Sequence, residues 1–208
     1  MTYQALMFDI DGTLTNSQPA YMTVMREVLA SYGKPFSSAQ AQKTFPMAAE
    51  QAMAELGIAP NEFDHFQAQY ENVMASHYDE IQLYPGIISL FEQLPAALQL
   101  GIVTSQRRTE LESGMRAYPF MMRMAVTISA DDTPKRKPDP LPLLTALGKV
   151  NVAPQNALFI GDSVSDEQTA QAAKVDFGLA VWGMDPNAQH QDVAHRFNQP
   201  ADILDLFK

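Results

Sequence analysis

Two carboxylates separated by one residue stand directly after the first apolar stretch of the chain. The apolar residues 6–8 are followed by Asp9 and Asp11, and then by Gly12 and Thr13. An apolar run that stops at polar groups is typical of a buried strand that presents those groups at its carboxyl end. Side chains two residues apart in an extended chain point to the same side, so the two carboxylates are expected to converge. Their mutual repulsion then requires a divalent cation, a shared proton or a cationic neighbour.

The residue types at this strand end suit nucleophilic and acid–base chemistry. Asp9 is a candidate carboxylate nucleophile of the kind that forms an aspartyl-phosphate. Asp11 is a candidate general acid that protonates a leaving oxygen and later, as a base, activates water. Gly12 allows a ligand to approach the backbone closely, and Thr13 adds a hydroxyl. The same residues also fit an ordinary polar turn, because Asp-Gly is a common turn dipeptide.

Three later segments offer polar groups of a related kind. Thr104 and Ser105 follow an apolar run and carry hydroxyls suited to phosphoryl oxygens. Lys137 lies in a basic turn, and Asp162 and Asp166 follow another apolar run, four residues apart. Helix capping or a solvated loop explains each group taken singly. Their joint occurrence favours one shared site, because the carboxyl ends of parallel strands meet at one edge of a sheet.

The segment between the first two predicted strands is expected to be purely helical from about residue 16 to residue 80. An apolar face repeats over 21–32, and Gly33 closes that helix. A second helix is predicted over about 46–56. A third begins after Asn61, a candidate N-cap, and extends to about residue 77.

Strands alternate with helices in the rest of the chain. Strands are predicted near 100–103, 125–129, 157–160 and 177–182. Helices are predicted near 87–94, 106–118, 141–147 (ending at Gly148) and 203–207, and near the start of the segment 163–173 if Ser163 opens a helix. This alternation predicts an α/β fold with a Rossmann-like parallel sheet. We expect a core domain of residues 1–14 and 82–208, with residues 15–81 as an inserted all-helical cap domain.

Composition restricts the partners and the location. The chain has 208 residues, a net charge of -10 and no cysteine. A surface of this charge is expected to repel nucleic acid and anionic lipid. The absence of cysteine is compatible with a reducing cytoplasm, and we see no signal peptide and no membrane span. The expectation is a cytoplasmic monomer or weak homodimer that binds neither nucleic acid nor membrane.

Four ordered segments together resemble the motifs of a known enzyme superfamily. They are Asp-Ile-Asp-Gly-Thr at 9–13, Thr104 after a strand, Lys137 before a proline, and Gly-Asp-Ser-Val-Ser-Asp at 161–166. In this order and at this spacing they resemble the four motifs of the haloacid dehalogenase-like (HAD) hydrolase superfamily. The helical insertion is similar to the cap of its phosphoglycolate phosphatase-like branch. The resemblance covers essentially the whole chain.

The resemblance implies a Mg²⁺-dependent phosphatase of a small phosphorylated metabolite. Asp9 would attack phosphorus to form an aspartyl-phosphate, and Asp11 would act as general acid and then base. Mg²⁺ would be held by Asp9, the backbone carbonyl of Asp11 and Asp162, with Asp166 as an outer-shell or water-mediated partner. The groups implied to hold the phosphoryl oxygens or neutralise their charge are Gly12, Thr104, Ser105 and Lys137.

Alternatives within and beyond the superfamily differ at particular residues. Dehalogenases generally lack an acid at the position of Asp11, which favours a phosphatase here. Phosphomutases of the β-phosphoglucomutase type carry a cap histidine where this chain has Tyr21, a cap arginine near Ala49 and a glutamate at the position of Gly161. A phosphomutase is the nearer alternative, and a noncatalytic binding protein on the same fold is the distant one.

One residue departs from the relatives. Lys174 follows Ala172-Ala173 where they usually have glycine. We therefore expect either a strained left-handed lysine or a different helix end.

Overall fold

A computed structural model describes residues 3–45, 47, 49–115 and 117–208. The chain divides into two compact units, one formed by Met1–Asn16 with Leu83–Lys208 and the other by Ser17–Gln82. The start of the helix predicted over 46–56 lies partly outside the described residues, at Pro46 and Ala48.

The first unit is built on a six-stranded parallel sheet. The strands of the molecule, in chain order, are β1 (Ala5–Phe8), β2 (Thr15–Asn16), β3 (Gln82–Leu83), β4 (Gln99–Val103), β5 (Met124–Ile128), β6 (Ala157–Gly161), β7 (Asp176–Ala180) and β8 (His195–Phe197). The large sheet has the order β5-β4-β1-β6-β7-β8, and β2 and β3 form a separate two-stranded sheet. Every neighbouring pair in the large sheet is parallel. The predicted α/β fold is confirmed.

Helices cover both faces of the large sheet. They are α5 (Ile87–Gln93), α6 (Arg108–Met115), α7 (Leu141–Val150) and α8 (Val164–Ala173). Alternate residues of β1 pack on opposite faces of the sheet. Leu6 and Phe8 belong to the apolar cluster that contains residues of α5 and α6. Ala5 and Met7 join the cluster containing α7 and α8. The sheet is therefore buried on both sides, as a parallel sheet requires.

Short segments of the first unit differ from the sequence-based predictions. β8 was not predicted, and the segment near 203–207 is a 3₁₀ helix that begins at Pro200. Gly148 does not end α7, which continues to Val150 and has Asn151 in the left-handed conformation as its C-cap. α6 spans fewer residues than predicted, and a 3₁₀ segment follows at Pro119–Arg123.

The second unit is mainly helical. Its helices are α1 (Gln18–Ser31), α2 (Ser38–Thr44), α3 (Ala49–Glu55) and α4 (Phe63–Met74), with 3₁₀ segments at Pro60–Glu62 and Tyr78–Glu80. The apolar face predicted for α1 is confirmed, since Val24, Met25, Val28 and Leu29 are buried in the core of this unit. α2 was missed, and Asn61 does not cap a helix because it lies inside the 3₁₀ segment. The prediction of no strand from residue 16 onward is wrong at Asn16, the last residue of β2.

The order of the large sheet creates a crevice at one end of β1. From β1 the chain proceeds through β4 to β5 on one side, and then crosses to β6, β7 and β8 on the other side. The connections thus diverge at the carboxyl end of β1, between β4 and β6. Open α/β sheets bind their ligands at such a switch point.

Candidate active site

The loop after β1 carries Asp9 into the crevice and turns sharply behind it. The Asp9 amide donates to the Ile160 carbonyl at 2.9 Å, which fixes the start of the loop against β6. The amides of Thr13, Leu14 and Thr15 all donate to the Ile10 carbonyl, at 2.8–3.1 Å. Asp9 is buried, with 6% of its surface exposed.

Glycines line the back of this loop because no side chain fits there. Gly12 has φ +82°, and a Cβ at this position would lie 2.2 Å from Oδ2 of Asp162. A Cβ on Gly183, in the loop after β7, would lie 1.6 Å from the Gly12 carbonyl oxygen. A Cβ on Gly161 would lie 2.5 Å from Cβ of Asp166. Backbone and carboxylates therefore pack directly against each other at this end of the sheet.

Lys137 bridges two of the carboxylates. Its Nζ lies 2.8 Å from Oδ1 of Asp9 and 2.6 Å from Oδ1 of Asp166, and its side chain is only 4% exposed. The peptide bond between Lys137 and Pro138 is cis. The Lys137 ammonium also lies 5.7 Å from the centre of the Phe159 ring. One buried cation thus connects the end of β1 with the start of α8.

The loop after β6 contributes Asp162 and the first turn of α8 contributes Asp166, and the predicted helix start at Ser163 is confirmed. Ser163 is the N-cap of α8. Its Oγ accepts from the Asp166 amide at 3.2 Å, while Oδ2 of Asp166 accepts from the Ser163 amide at 3.1 Å. This reciprocal capping box fixes the Asp166 side chain, whose other oxygen faces Lys137. Asp162 precedes the cap, and its Oδ1 accepts from Oγ1 of Thr13 at 2.8 Å.

Three carboxylates form a cluster with metal-like geometry. One oxygen from each of Asp9, Asp162 and Asp166 lies within 4.8 Å of the others, and all three residues are buried. Oxygen donors at this spacing suit a hard divalent cation such as Mg²⁺, which needs few protein ligands because it keeps several waters.

Charge at the cluster is unbalanced in favour of the carboxylates. Burial raises the pKa of Asp9, and the charges of Asp166 and Asp11 add to that rise, which Lys137 only partly opposes. Burial, with the charges of Asp166 and Asp9, raises the pKa of Asp162 well above its ordinary value. Burial lowers the pKa of Lys137, but Asp166 and Asp9 outweigh that effect and raise it overall. One lysine therefore does not neutralise the cluster, and a cation fits the remaining negative charge.

The loop after β4 contains Gln106, which contacts Asp11 and which the sequence did not indicate as a site residue. Oγ1 of Thr104 accepts from the Gln106 amide at 3.1 Å. Nε2 of Gln106 donates to both oxygens of Asp11, at 3.0 and 2.9 Å. α6 begins only at Arg108, so Thr104 and Ser105 do not cap it, contrary to the simpler structural explanation. Thr104 is buried and Ser105 partly buried.

An aromatic pair beside the carboxylates was also missed. Nε1 of Trp182 donates to the Thr13 carbonyl at 2.9 Å, and the Trp182 ring meets the Tyr84 ring edge to face at 6.5 Å. Burial raises the pKa of Tyr84 to about 12, with contributions from the charges of Asp162 and Asp11. The phenol therefore lies within electrostatic reach of the cluster. Neither ring lies in one of the four motifs, so the sequence did not indicate a role for either.

The structure thus brings together most of the residues singled out from sequence. Asp9, Lys137, Asp162 and Asp166 lie in one buried cluster, with Gly12 directly behind Asp162. Asp11 and Thr104 are linked through Gln106. Ser105 adjoins this group in sequence. Within the described part of the chain no contact of its side chain assigns it a role, so substrate binding by Ser105 stays a prediction.

A match to a protein-family model shows the family of this chain. The model described as haloacid dehalogenase-like hydrolase matches residues 6–180, which include every motif of the cluster. The chain belongs to this family. The resemblance inferred from the four motifs is confirmed.

Individual relatives agree with the family assignment. A phosphoglycolate phosphatase of Xylella fastidiosa is 31% identical over 188 residues, covering 86% of this chain and 81% of the relative. A phosphoglycolate phosphatase of Cereibacter sphaeroides is 27% identical over an alignment that covers 98% of this chain and 97% of the relative. The crystal structure of a candidate phosphoglycolate phosphatase from Lactobacillus plantarum is 89% identical, covers all of both chains and superposes with a TM-score of 0.96.

Within the described part of the chain, no helix is long and apolar enough to cross a membrane.

Proposed function

We propose that this HAD-family hydrolase is a Mg²⁺-dependent phosphatase that hydrolyses a small phosphorylated metabolite through an aspartyl-phosphate on Asp9. The observation that carries the proposal is the buried Asp9 carboxylate, 2.8 Å from Lys137 at the switch point of the sheet. A nucleophile with a fixed cation beside it, at the place where the fold binds ligands, suits attack on a negatively charged phosphoryl group.

The donor set supports a bound Mg²⁺. Asp9, Asp162 and the backbone carbonyl of Asp11 would hold the ion. Asp166, which is paired with Lys137, would be an outer-shell partner. When bound, the ion supplies charge neutralisation and orients the phosphoryl oxygens. Both oxygens of Asp166 already have partners, Lys137 on one side and Ser163 on the other. We therefore assign Asp166 chiefly to the orientation of Lys137.

The first chemical step transfers the phosphoryl group to the protein. A carboxylate oxygen of Asp9 attacks phosphorus, and the bond from phosphorus to the ester oxygen breaks. Asp11 gives its proton to the departing ester oxygen, so the leaving group departs as a neutral alcohol. Lys137 offsets charge shared by Asp9 and the phosphoryl oxygens, and Thr104 and the backbone at Gly12 hold those oxygens.

The second step returns Asp9 to its starting state. Asp11, now a carboxylate, takes a proton from a water molecule as that water attacks phosphorus. The bond between phosphorus and the Asp9 oxygen breaks, and inorganic phosphate and the free carboxylate are released. Asp11 thus donates a proton to the leaving oxygen in the first step and takes one from water in the second.

The relatives and the composition support a proposal for the substrate and the cellular setting. The curated relatives are named phosphoglycolate phosphatases, so a phosphoglycolate-like compound or a sugar monophosphate is the proposed substrate. The cysteine-free composition supports a cytoplasmic setting. The proposed form is a monomer or weak homodimer, with residues 15–81 acting as a cap that closes over the substrate.

The region behind Asp166 argues against a phosphomutase. The mutase-type glutamate would stand at position 161, where a Cβ would lie 2.5 Å from both Cβ and Cγ of Asp166. A side chain there would displace the residue that holds Lys137 in place. Glycine at this position therefore favours hydrolysis.

Phosphate release from a panel of monophosphates, with Mg²⁺ or with a chelator, tests the proposal. We expect metal-dependent release by the wild type and loss of about 10⁴-fold or more in Asp9→Asn, since the amide cannot form the intermediate. Asp205→Asn is the matched control, because Asp205 is an exposed aspartate paired only with Lys208 in the contacts described. Transfer of phosphate to a second hydroxyl would instead indicate a mutase, and binding without turnover would indicate a noncatalytic protein.

A further inference from the structure

The Gln106 side chain makes an unusual contact with Asp11. Its Nε2 lies 3.0 Å from one carboxylate oxygen and 2.9 Å from the other, so a single amide nitrogen addresses both. Such a contact restrains the plane of the carboxylate as well as its position. Asp11 comes from the loop after β1 and Gln106 from the loop after β4, 95 residues later.

The backbone of Gln106 is fixed at both ends. Its amide donates to Oγ1 of Thr104 at 3.1 Å, and its carbonyl accepts from the Ala130 amide at 2.8 Å, in the loop after β5. The residue is therefore tied to two strand ends. A side chain on such a support can orient a neighbour more accurately than one on a free loop.

The two ends of the Gln106 carboxamide differ in their contacts. Oε1 of Gln106 is buried and has no hydrogen-bond partner among the described residues. Tyr32 Oη and His190 Nε2 are buried without a described partner as well, so the role of Gln106 rests on its donor end. Both hydrogen bonds described for the Gln106 side chain are donated to Asp11.

We infer that Gln106 is a positioning residue for Asp11 in the proposed phosphatase reaction. By donating to both oxygens it holds the carboxylate in the orientation from which Asp11 exchanges protons with the leaving group and with water. The role rests on the proposed function. It predicts an effect on turnover rather than on substrate binding, because Lys137 and Thr104, not Gln106, are assigned to the phosphoryl group.

Gln106→Met tests the role with little change in side-chain shape. We expect kcat for an alkyl monophosphate to fall about 10- to 100-fold while KM changes less than about 3-fold, since a misplaced proton donor slows chemistry. Gln106→Glu, which places a carboxylate against Asp11, should lose more. Gln93→Met is the matched control, because the amide of Gln93 contacts only Ser89 in the interactions described on α5.

A double-mutant cycle separates action through Asp11 from a direct effect. The Asp11→Ala background is assayed with p-nitrophenyl phosphate, whose leaving group departs without protonation. In that background we expect Gln106→Met to change the rate by less than about 2-fold, because residues that act as one unit are not additive. A loss that persists without Asp11, or wild-type kcat in both Gln106 variants, would overturn the inference. Wild-type protein that releases no phosphate from any substrate would contradict the proposed function itself and the inference with it.

Discussion

Lys137 is a buried cation between two carboxylates of the candidate active site. It lies between Asp9 and Asp166 with almost no exposure, so its interactions are only weakly screened by solvent. Sequence alone placed it in a basic turn, where lysines are usually solvated. The structure instead directs this lysine inward, while its neighbour Lys135 remains exposed and pairs with Asp139.

Lys137→Met is expected to reduce phosphatase turnover about 100- to 1000-fold, the range found when a charge-stabilising group is removed. The substitution leaves the carboxylate cluster without its counter-charge, so the nucleophile and the phosphoryl group repel each other. Initial rates with the best substrate of the panel measure the effect. Lys135→Met, which changes a surface lysine two residues away, should keep wild-type rates. Equal activity of the two variants would show that Lys137 has no electrostatic role.

At the level of single residues, sequence reasoning found groups attached to strand ends but not the contacts between them. Asp9, Lys137, Asp162 and Asp166 were identifiable because each follows an apolar run or occupies a motif position. Gln106 was not, because an isolated glutamine after a hydroxyl pair has no pattern of its own. The role proposed for Gln106 depends on a contact that spans 95 residues and that the sheet order creates.

The end of α8 resolves the departure noted at Lys174. The helix ends at Ala173, and Lys174 adopts the left-handed conformation, with φ 58° and ψ 42°. Its amide donates to the Ala170 and Gln171 carbonyls, as in a glycine-ended helix. Of the two alternatives, the strained lysine is the correct one.

Lys174→Gly should stabilise the protein by about 0.5–1 kcal/mol. Glycine removes the left-handed penalty of a side chain, and its greater freedom in the unfolded chain offsets part of the gain. Urea unfolding of both proteins measures the difference. Asn151→Gly is a useful comparison, because Asn151 also has a positive φ, of 56°, but asparagine tolerates that conformation better. The prediction is contradicted if the glycine at 174 lowers the free energy of unfolding.

Elements with a strong apolar repeat were predictable, and short elements were not. α1 and the buried strands of the sheet were found from the spacing of their apolar residues. β8 has three residues, of which only Phe197 is buried, so no alternation could develop. α2 has little apolar character, and its available signal was the capping box formed by Ser37 and Gln40. The predicted end of α7 at Gly148 was wrong, because a glycine inside a helix is tolerated.

The whole molecule carries its net charge of -10 partly as a buried cluster of carboxylates. Repulsion within that cluster opposes folding, and the proposed Mg²⁺ would relieve it only in the folded state. Ligand binding to the native state alone raises stability with ligand concentration. Binding of the proposed Mg²⁺ and folding should therefore be linked.

Mg²⁺ at about 100 times its dissociation constant is expected to add about 2.7 kcal/mol to the free energy of unfolding. For a chain of this length that corresponds to a rise in Tm of about 5–10 °C. Thermal unfolding with and without chelator measures the shift, and added potassium chloride at equal ionic strength controls for screening. Asp162→Asn should lose most of the response. A Tm that does not depend on Mg²⁺ would argue against the metal site.

The glycines behind the carboxylates set a boundary on how this site can diversify. Gly12, Gly161 and Gly183 each leave less space than a methyl group requires. A side chain at these positions would displace Asp162, Asp166 or the Gly12 backbone, so substitution there would disturb the carboxylate cluster. New specificities, in nature or in the laboratory, are therefore expected to arise from substitutions at other positions of the site.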